Sequence, residues 1–154
     1  MEMKSTLRVY NAAEVPSVQG VTKGQTQRQL LGNAAYPSER LIVRLVSFEP
    51  GTHEKLHWHL IEAFYYVISG KAVMTDIEGK TRELKAGSVV YAPPGIAGSH
   101  SWEIKEQLQL MSIRGTADPE KTIQFDVDLQ TMESSVSLDH LQNRQAVSPK
   151  KSAY

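Results

Sequence analysis

Helical periodicity is nearly absent from the first three quarters of this chain. In its place, short runs of β-branched and aromatic residues recur between Gly, Pro and Glu-Gly punctuation. That pattern belongs to an all-β sandwich or barrel. The strands it predicts are Gln27–Leu31, Leu41–Phe48, Leu56–His59, Phe64–Ser69, Ala72–Ile77, Thr81–Leu84, Ser88–Ala92, His100–Ile104 and Leu108–Ile113. Glu78-Gly79 supplies a residue tolerant of positive φ, so Ala72–Leu84 reads as a hairpin. Pro93-Pro94-Gly95 must end its strand, because neither proline can donate a ladder hydrogen bond. The polar stretch Asp126–Gln145 reads as a short amphipathic helix, followed by a frayed tail at Pro149-Lys150-Lys151.

At 154 residues the chain is expected to form one domain with its own core. Within it, residues 1–40 provide N-terminal strands and an arm, 41–115 the barrel core and 116–154 a C-terminal segment. Lys and Arg number 17 against 17 Asp and Glu, so the basic excess rewarded by nucleic acid or anionic membranes is missing, and neither is expected as a partner. The absence of cysteine excludes disulfides, thiolate nucleophiles and sulfur-ligated metals, which leaves nitrogen and oxygen as metal ligands. Met1–Tyr10 never builds the apolar stretch of a secretory leader, and no run approaches the roughly 20 apolar residues of a membrane span. Cytoplasm is the expected compartment. Phosphate-cradling, dinucleotide-binding and serine-nucleophile motifs are all absent.

Four of the five histidines, His53, His57, His59 and His100, fall in a window of under 50 residues. His57-Trp58-His59 is the sharpest part of the cluster. Residues i and i+2 of a strand leave the same face about 6.6 Å apart along the chain, so two imidazoles so placed can converge on one ion. His53 shares the parity of His57 but precedes it in an expected loop, and His140 reads as a solvated helix-face residue.

Gly51, five residues, His57-Trp58-His59, Glu62 and Gly70 resemble the first signature of the cupin superfamily. Gly87, five residues, Pro93-Pro94-Gly95 and His100 resemble the second, and the likeness spans Leu41–Ile113. The resemblance implies a double-stranded β-helix, a jelly-roll barrel, followed here by a short, partly helical C-terminal segment. It also implies an internal metal, with His57, His59, Glu62 and His100 as the matching ligands. Two departures bear on that set. Glu62 lies eight positions before Gly70 rather than seven, and Ala63 takes the expected place. In strict register Ala63, Tyr65 and Val67 point inward and only three histidines remain. A bulge within Phe64-Tyr65-Tyr66 returns Glu62 to the interior, and this is the expected arrangement. Gly98 stands where the last histidine is expected, and a two-residue loop insertion brings His100 onto the same face.

The cofactor so implied is a divalent transition metal, with Fe(II) favoured over Mn, Ni, Zn or Cu. The expected function is a metal-dependent small-molecule enzyme, dioxygenase-like on a small organic acid or aromatic substrate. The alternatives are a redox-neutral isomerase, decarboxylase or lyase, and a non-catalytic ligand-binding cupin. Tyr65, Tyr66 and Trp102 are candidate catalytic residues, and Val43, Leu45 and Met111 are expected to face the cavity. Arg44 could clamp a substrate carboxylate, but is expected outside, paired with a carboxylate such as Glu49. A homodimer is expected, with Thr6–Tyr10 covering an exposed sheet edge.

Overall fold

Each long strand buries alternate residues, as a sheet with one face on the core requires. The computed structural model describes residues 1–140. Its strands are β1 (Val18–Gln19), β2 (Gln25–Leu31), β3 (Ile42–Phe48), β4 (His53–His59), β5 (Ala63–Asp76), β6 (Thr81–Lys85), β7 (Val89–Ala92), β8 (His100–Arg114), β9 (Gln124–Val127) and β10 (Ser134–Val136). Every pairing is antiparallel.

β5 and β8 organise the rest. The first part of β8 lies between β4 and the second part of β5, and its last part lies between β3 and the first part of β5. Both long strands thus pass from one curled half of the sheet to the other, which makes the fold a jelly-roll double-stranded β-helix. Val46, Phe48, Tyr65, Val67, Met74, Trp102, Ile104, Leu108 and Leu110 fill the space between the halves.

The sequence pattern breaks each long strand in two, at Gly70-Lys71 and at Lys105–Gln107. In the fold these polar or glycine-bearing stretches are corners rather than breaks. β5 slips register between Val67 and Ala72, and Gly70 takes φ +93°. A Cβ at Gly70 would lie 2.0 Å from the Gln107 carbonyl oxygen, so only glycine lets the two strands cross so closely there.

The Ala72–Leu84 hairpin forms as read. Asp76 Oδ1 accepts from the backbone N–H groups of Glu78 and Lys80, each at 3.0 Å, and Gly79 takes φ +82°. The stretch from Asp126 departs from the reading. Instead of a helix, residues 124–136 form β9 and β10, with helical geometry only at residues 138–140. The rest of the predicted helix and the tail lie outside the described residues. Tertiary pairing overrides the weak local preference: β9 pairs with β4, Phe125 stacks on Trp58 at 4.4 Å, and the Trp58 indole donates to Ser134 Oγ at 2.9 Å. At the other end, Tyr10 packs against Tyr36 of the same chain with ring centroids 4.6 Å apart. No described helix is long and apolar enough to cross a membrane.

Candidate metal centre

Two adjacent strands deliver the histidines. His57 and His59 leave β4 on one face, and His57 sits directly across the ladder from His100, the first residue of β8. All three are buried. Ring centroids lie 4.6 Å apart for His57 and His100, 5.1 Å for His57 and His59, and 6.0 Å for His59 and His100. One ring nitrogen from each lies within 4.8 Å of the others, a grouping that can hold a metal ion.

The hydrogen bonds of these rings test whether an ion fits. His57 Nδ1 lies 2.6 Å from the Lys55 carbonyl, so it donates there and leaves Nε2 with a lone pair. Neither nitrogen of His59 has a partner although both are buried. Such a state costs about 1–3 kcal/mol, and a ligated ion relieves it. His100 Nδ1 accepts the indole N–H of Trp102 at 2.7 Å, which places its own proton on the buried, unpartnered Nε2. An ion taking that Nε2 displaces the proton or breaks the indole bond. Burial holds the His59 pKa well below 6.5, and the Arg114 charge and the other histidines push the same way. His100 is likewise held well below 6.5, by burial first and then by His57 and Arg114. Both rings are therefore neutral at neutral pH, the form that binds metal. The donor set fits a divalent ion.

Glu62 does not join the three histidines. It is exposed, and its carboxylate accepts the Tyr91 hydroxyl at 2.7 Å. The expected bulge within Phe64–Tyr66 does not form: the β5 ladders run unbroken from Ala63 to Tyr66, and the first register shift comes after Val67. Strict alternation therefore buries Ala63, Tyr65 and Val67 and turns Glu62 outward. Glu62→Ala is expected to leave Zn(II) affinity within about twofold of the wild-type value by calorimetry, since the loss of a ligand or of its oriented partner typically costs tenfold or more.

The same alternation sorts the other candidates. Tyr65 is buried and Tyr66 is 42% exposed on the outer face, so only Tyr65 reaches the cavity. The Tyr65 hydroxyl accepts from Arg114 Nη2 at 2.9 Å, and its ring meets His100 edge-on at 5.8 Å. Burial raises the Tyr65 pKa above its ordinary 10.0, with the Arg114 charge opposing, so the hydroxyl keeps its proton. Trp102 is 2% exposed and lines the cavity. His53 is exposed, 3.6 Å from Glu103, because a register shift between Glu54 and His57 separates it from the inward face.

Three cationic or basic residues were not placed here by sequence. Arg44 lies inside, not outside with Glu49: with Ile42, Val46 and Phe48 it forms the buried face of β3. Val43, Leu45 and Met111 occupy the opposite parity and do not line the cavity, whereas Val46 and Leu110 do. The β3 sequence is apolar on both faces, so alternation alone could not choose between them. Arg114, at the last position of β8, is buried, and His140 is buried at the cavity rather than solvated. For Arg114 a signal existed: it shares the parity of Leu108, Leu110 and Ser112. The cavity enclosed by these groups measures about 70 Å³. By the same measure one water needs roughly 10–15 Å³, so it has room for a small organic molecule.

Comparisons with known proteins agree with this geometry. Residues 44–114 match the model of the cupin domain family. An uncharacterized protein of Streptomyces coelicolor is 33% identical over 72 residues, which span 46% of this chain and 66% of that protein, just under two thirds of its length. Among solved structures, the polyketide cyclase RemF of Streptomyces resistomycificus superposes with a TM-score of 0.64 at 17% identity, over 73% of this chain and 81% of that one. A mutant of the Bacillus subtilis oxalate decarboxylase OxdC gives 0.57 at 25% identity, over 76% of this chain and 31% of the decarboxylase. The matched segment runs from β3 to the end of β8 and carries the inward histidines, so residues 44–114 resemble a cupin domain and the chain has the jelly-roll fold of cupin proteins.

Proposed function

We propose that this protein is a metal-dependent enzyme acting on a small organic molecule, with His57, His59 and His100 holding a divalent transition ion. The observation that carries this reading is His59, whose two ring nitrogens are buried without a partner beside two other inward imidazoles. A divalent ion held there supplies a Lewis acid for a substrate carbonyl or carboxylate or, as Fe(II), dioxygenase-type redox chemistry. Tyr65 is the proposed acid or hydrogen-bond donor, because its protonated hydroxyl borders the same cavity. Trp102 is a positioning residue: its indole N–H holds the His100 ring through Nδ1 in the metal-free protein, and metal binding at Nε2 would exchange that bond or the ring proton. Enzymes with this fold include a polyketide cyclase and an oxalate decarboxylase, which supports a catalytic role.

A second, redox-neutral reading is favoured by the donor set. Without Glu62 the site offers only imidazole nitrogens, which suit Zn, Ni and Cu as well as Fe. Elemental analysis of protein purified without a metal-capturing tag is expected to give about one transition ion per chain. Oxygen uptake on adding Fe(II) and a panel of small acids then divides dioxygenase from redox-neutral chemistry. Metal-free protein whose stability is unchanged by chelator would overturn the enzyme reading in favour of simple ligand binding.

A further inference from the structure

The inward face opposite the histidines carries two guanidinium groups with no counter-charge. Arg44 and Arg114 are 9% and 5% exposed, and neither makes an ion pair among the described residues. They are near neighbours in the sheet: Arg44 pairs across the ladder with Ser112, and Arg114 is the next residue on the same face of β8. Arg114 spends its Nη atoms on Ser112 Oγ at 3.0 Å and on the Tyr65 hydroxyl at 2.9 Å, while its Nε is buried without a partner. Arg44 Nε is also buried and unpartnered. Glu54 is the single carboxylate lining the cavity, and it accepts from Thr22 Oγ1 at 3.4 Å rather than from either arginine.

Buried like charges with idle donors are costly, and several kcal/mol per ion is the usual scale after relaxation. Their mutual effect is visible in Arg44, whose pKa falls to about 10 through burial first and the Arg114 charge second. A protein retains such an arrangement when a ligand supplies the missing anion. The cavity is small, so the anion is small. A guanidinium fork matches a planar carboxylate in shape, and Arg114 connects through Tyr65 to the His100 ring, so a short acid held by the arginines extends toward the histidine cluster.

We propose that Arg44 and Arg114 form a carboxylate clamp, and that the substrate is a small carboxylic acid whose carboxylate seats between them while its remaining atoms face His57, His59 and His100. This narrows the substrate class of the enzyme reading and rests on it, yet the clamp itself needs no metal.

The test uses chelator-treated protein in low-chloride buffer, titrated with malonate, with uncharged malonamide and with inorganic phosphate. Malonate is expected to bind and raise the unfolding midpoint, and malonamide is expected to do neither. Arg44→Met is expected to weaken malonate at least about tenfold, the scale of one lost charge-assisted bond, while the ligand-free midpoint stays at or above that of the wild type. A merely structural arginine would lower that midpoint. Should the Met variant fail to fold, Arg44→Lys, which keeps the charge and loses the fork, is expected to weaken malonate by the same order. Equal binding of malonamide, preference for phosphate over malonate, or a lysine variant with wild-type malonate affinity would each overturn the clamp. Malonate binding by a protein that takes up no transition ion when Zn(II) or Fe(II) is added back would instead remove the enzyme reading and leave the clamp standing.

Discussion

Replacing His59 by Ala is expected to weaken Zn(II) or Fe(II) binding by at least about 100-fold, because even the loss of a ligand's hydrogen-bonding partner costs 10- to 100-fold. Calorimetric titration of the metal-free protein measures it. Folding should survive, since the methylene packing lost with the ring is offset by removal of two buried, unpartnered nitrogens. Retained affinity in this variant would show that the three rings do not share an ion. The same residue carries a pH signature in the metal-free wild type. His59 and His100 are held well below 6.5 in the fold, whereas in the unfolded chain they take up protons near 6.5. The unfolded state thus binds more protons on acidification. The stability these neutral rings confer is complete above about pH 6.5 and declines below it, by up to about 1.4 kcal/mol per pH unit for each ring. Denaturant unfolding between pH 7 and 5 is expected to show that slope, reduced by about half in His59→Ala. A flat profile would mean that the rings are already solvated.

Gly70→Ala is expected to cost about 3 kcal/mol or more of folding stability. The positive φ alone costs an L-residue roughly 1–2 kcal/mol. The new Cβ, 2.0 Å from the Gln107 carbonyl oxygen, also forces β5 and β8 apart at an overpacking cost of roughly 1–3 kcal/mol. For a chain of this size that corresponds to a fall of about 6–12 °C in Tm. Gly79→Ala is the matched control: φ is +82°, but nothing lies within 4 Å of its Cβ, so only the conformational cost of about 1–2 kcal/mol remains. Equal effects at the two positions would show that the close crossing at the corner is not a determinant of the fold.

The strands and the histidine face were legible because they rest on local signals. Period-2 alternation survives in the sequence, and His57-Trp58-His59 needs nothing beyond strand geometry to place two rings together. The histidine of β8 came from the pattern of motifs, not from periodicity. What escaped depended on partners far away in sequence. Whether Glu62 points in or out was decided by the ladder that Ala63–Tyr66 makes with β7 and β8, and no residue near Glu62 encodes it. Arg44 was misplaced because Ile42–Phe48 is apolar on both faces, so charge was the one cue, and it pointed the wrong way. A buried cation only makes sense once Arg114 and the cavity are seen beside it. The hairpin at residues 124–136 was unreadable for a similar reason: its stability comes from stacking on Trp58 and from pairing with β4.

β8 begins at His100, whose ring meets those of His57 and Tyr65 at the chamber wall, and ends at Arg114, which lines that chamber. Fully extended, 14 steps of about 3.3 Å would set these ends roughly 45 Å apart. The strand passes from one half of the sheet to the other at its exposed stretch 105–107, opposite the register shifts of β5, so that stretch acts as a gauge between the imidazole pole and the guanidinium pole. An insertion or deletion there alters the spacing without replacing any group that touches a substrate. Under the proposed clamp, the length of acid that spans the two groups would thus be set from an exposed stretch of strand far from the chamber, where sequence change is best tolerated.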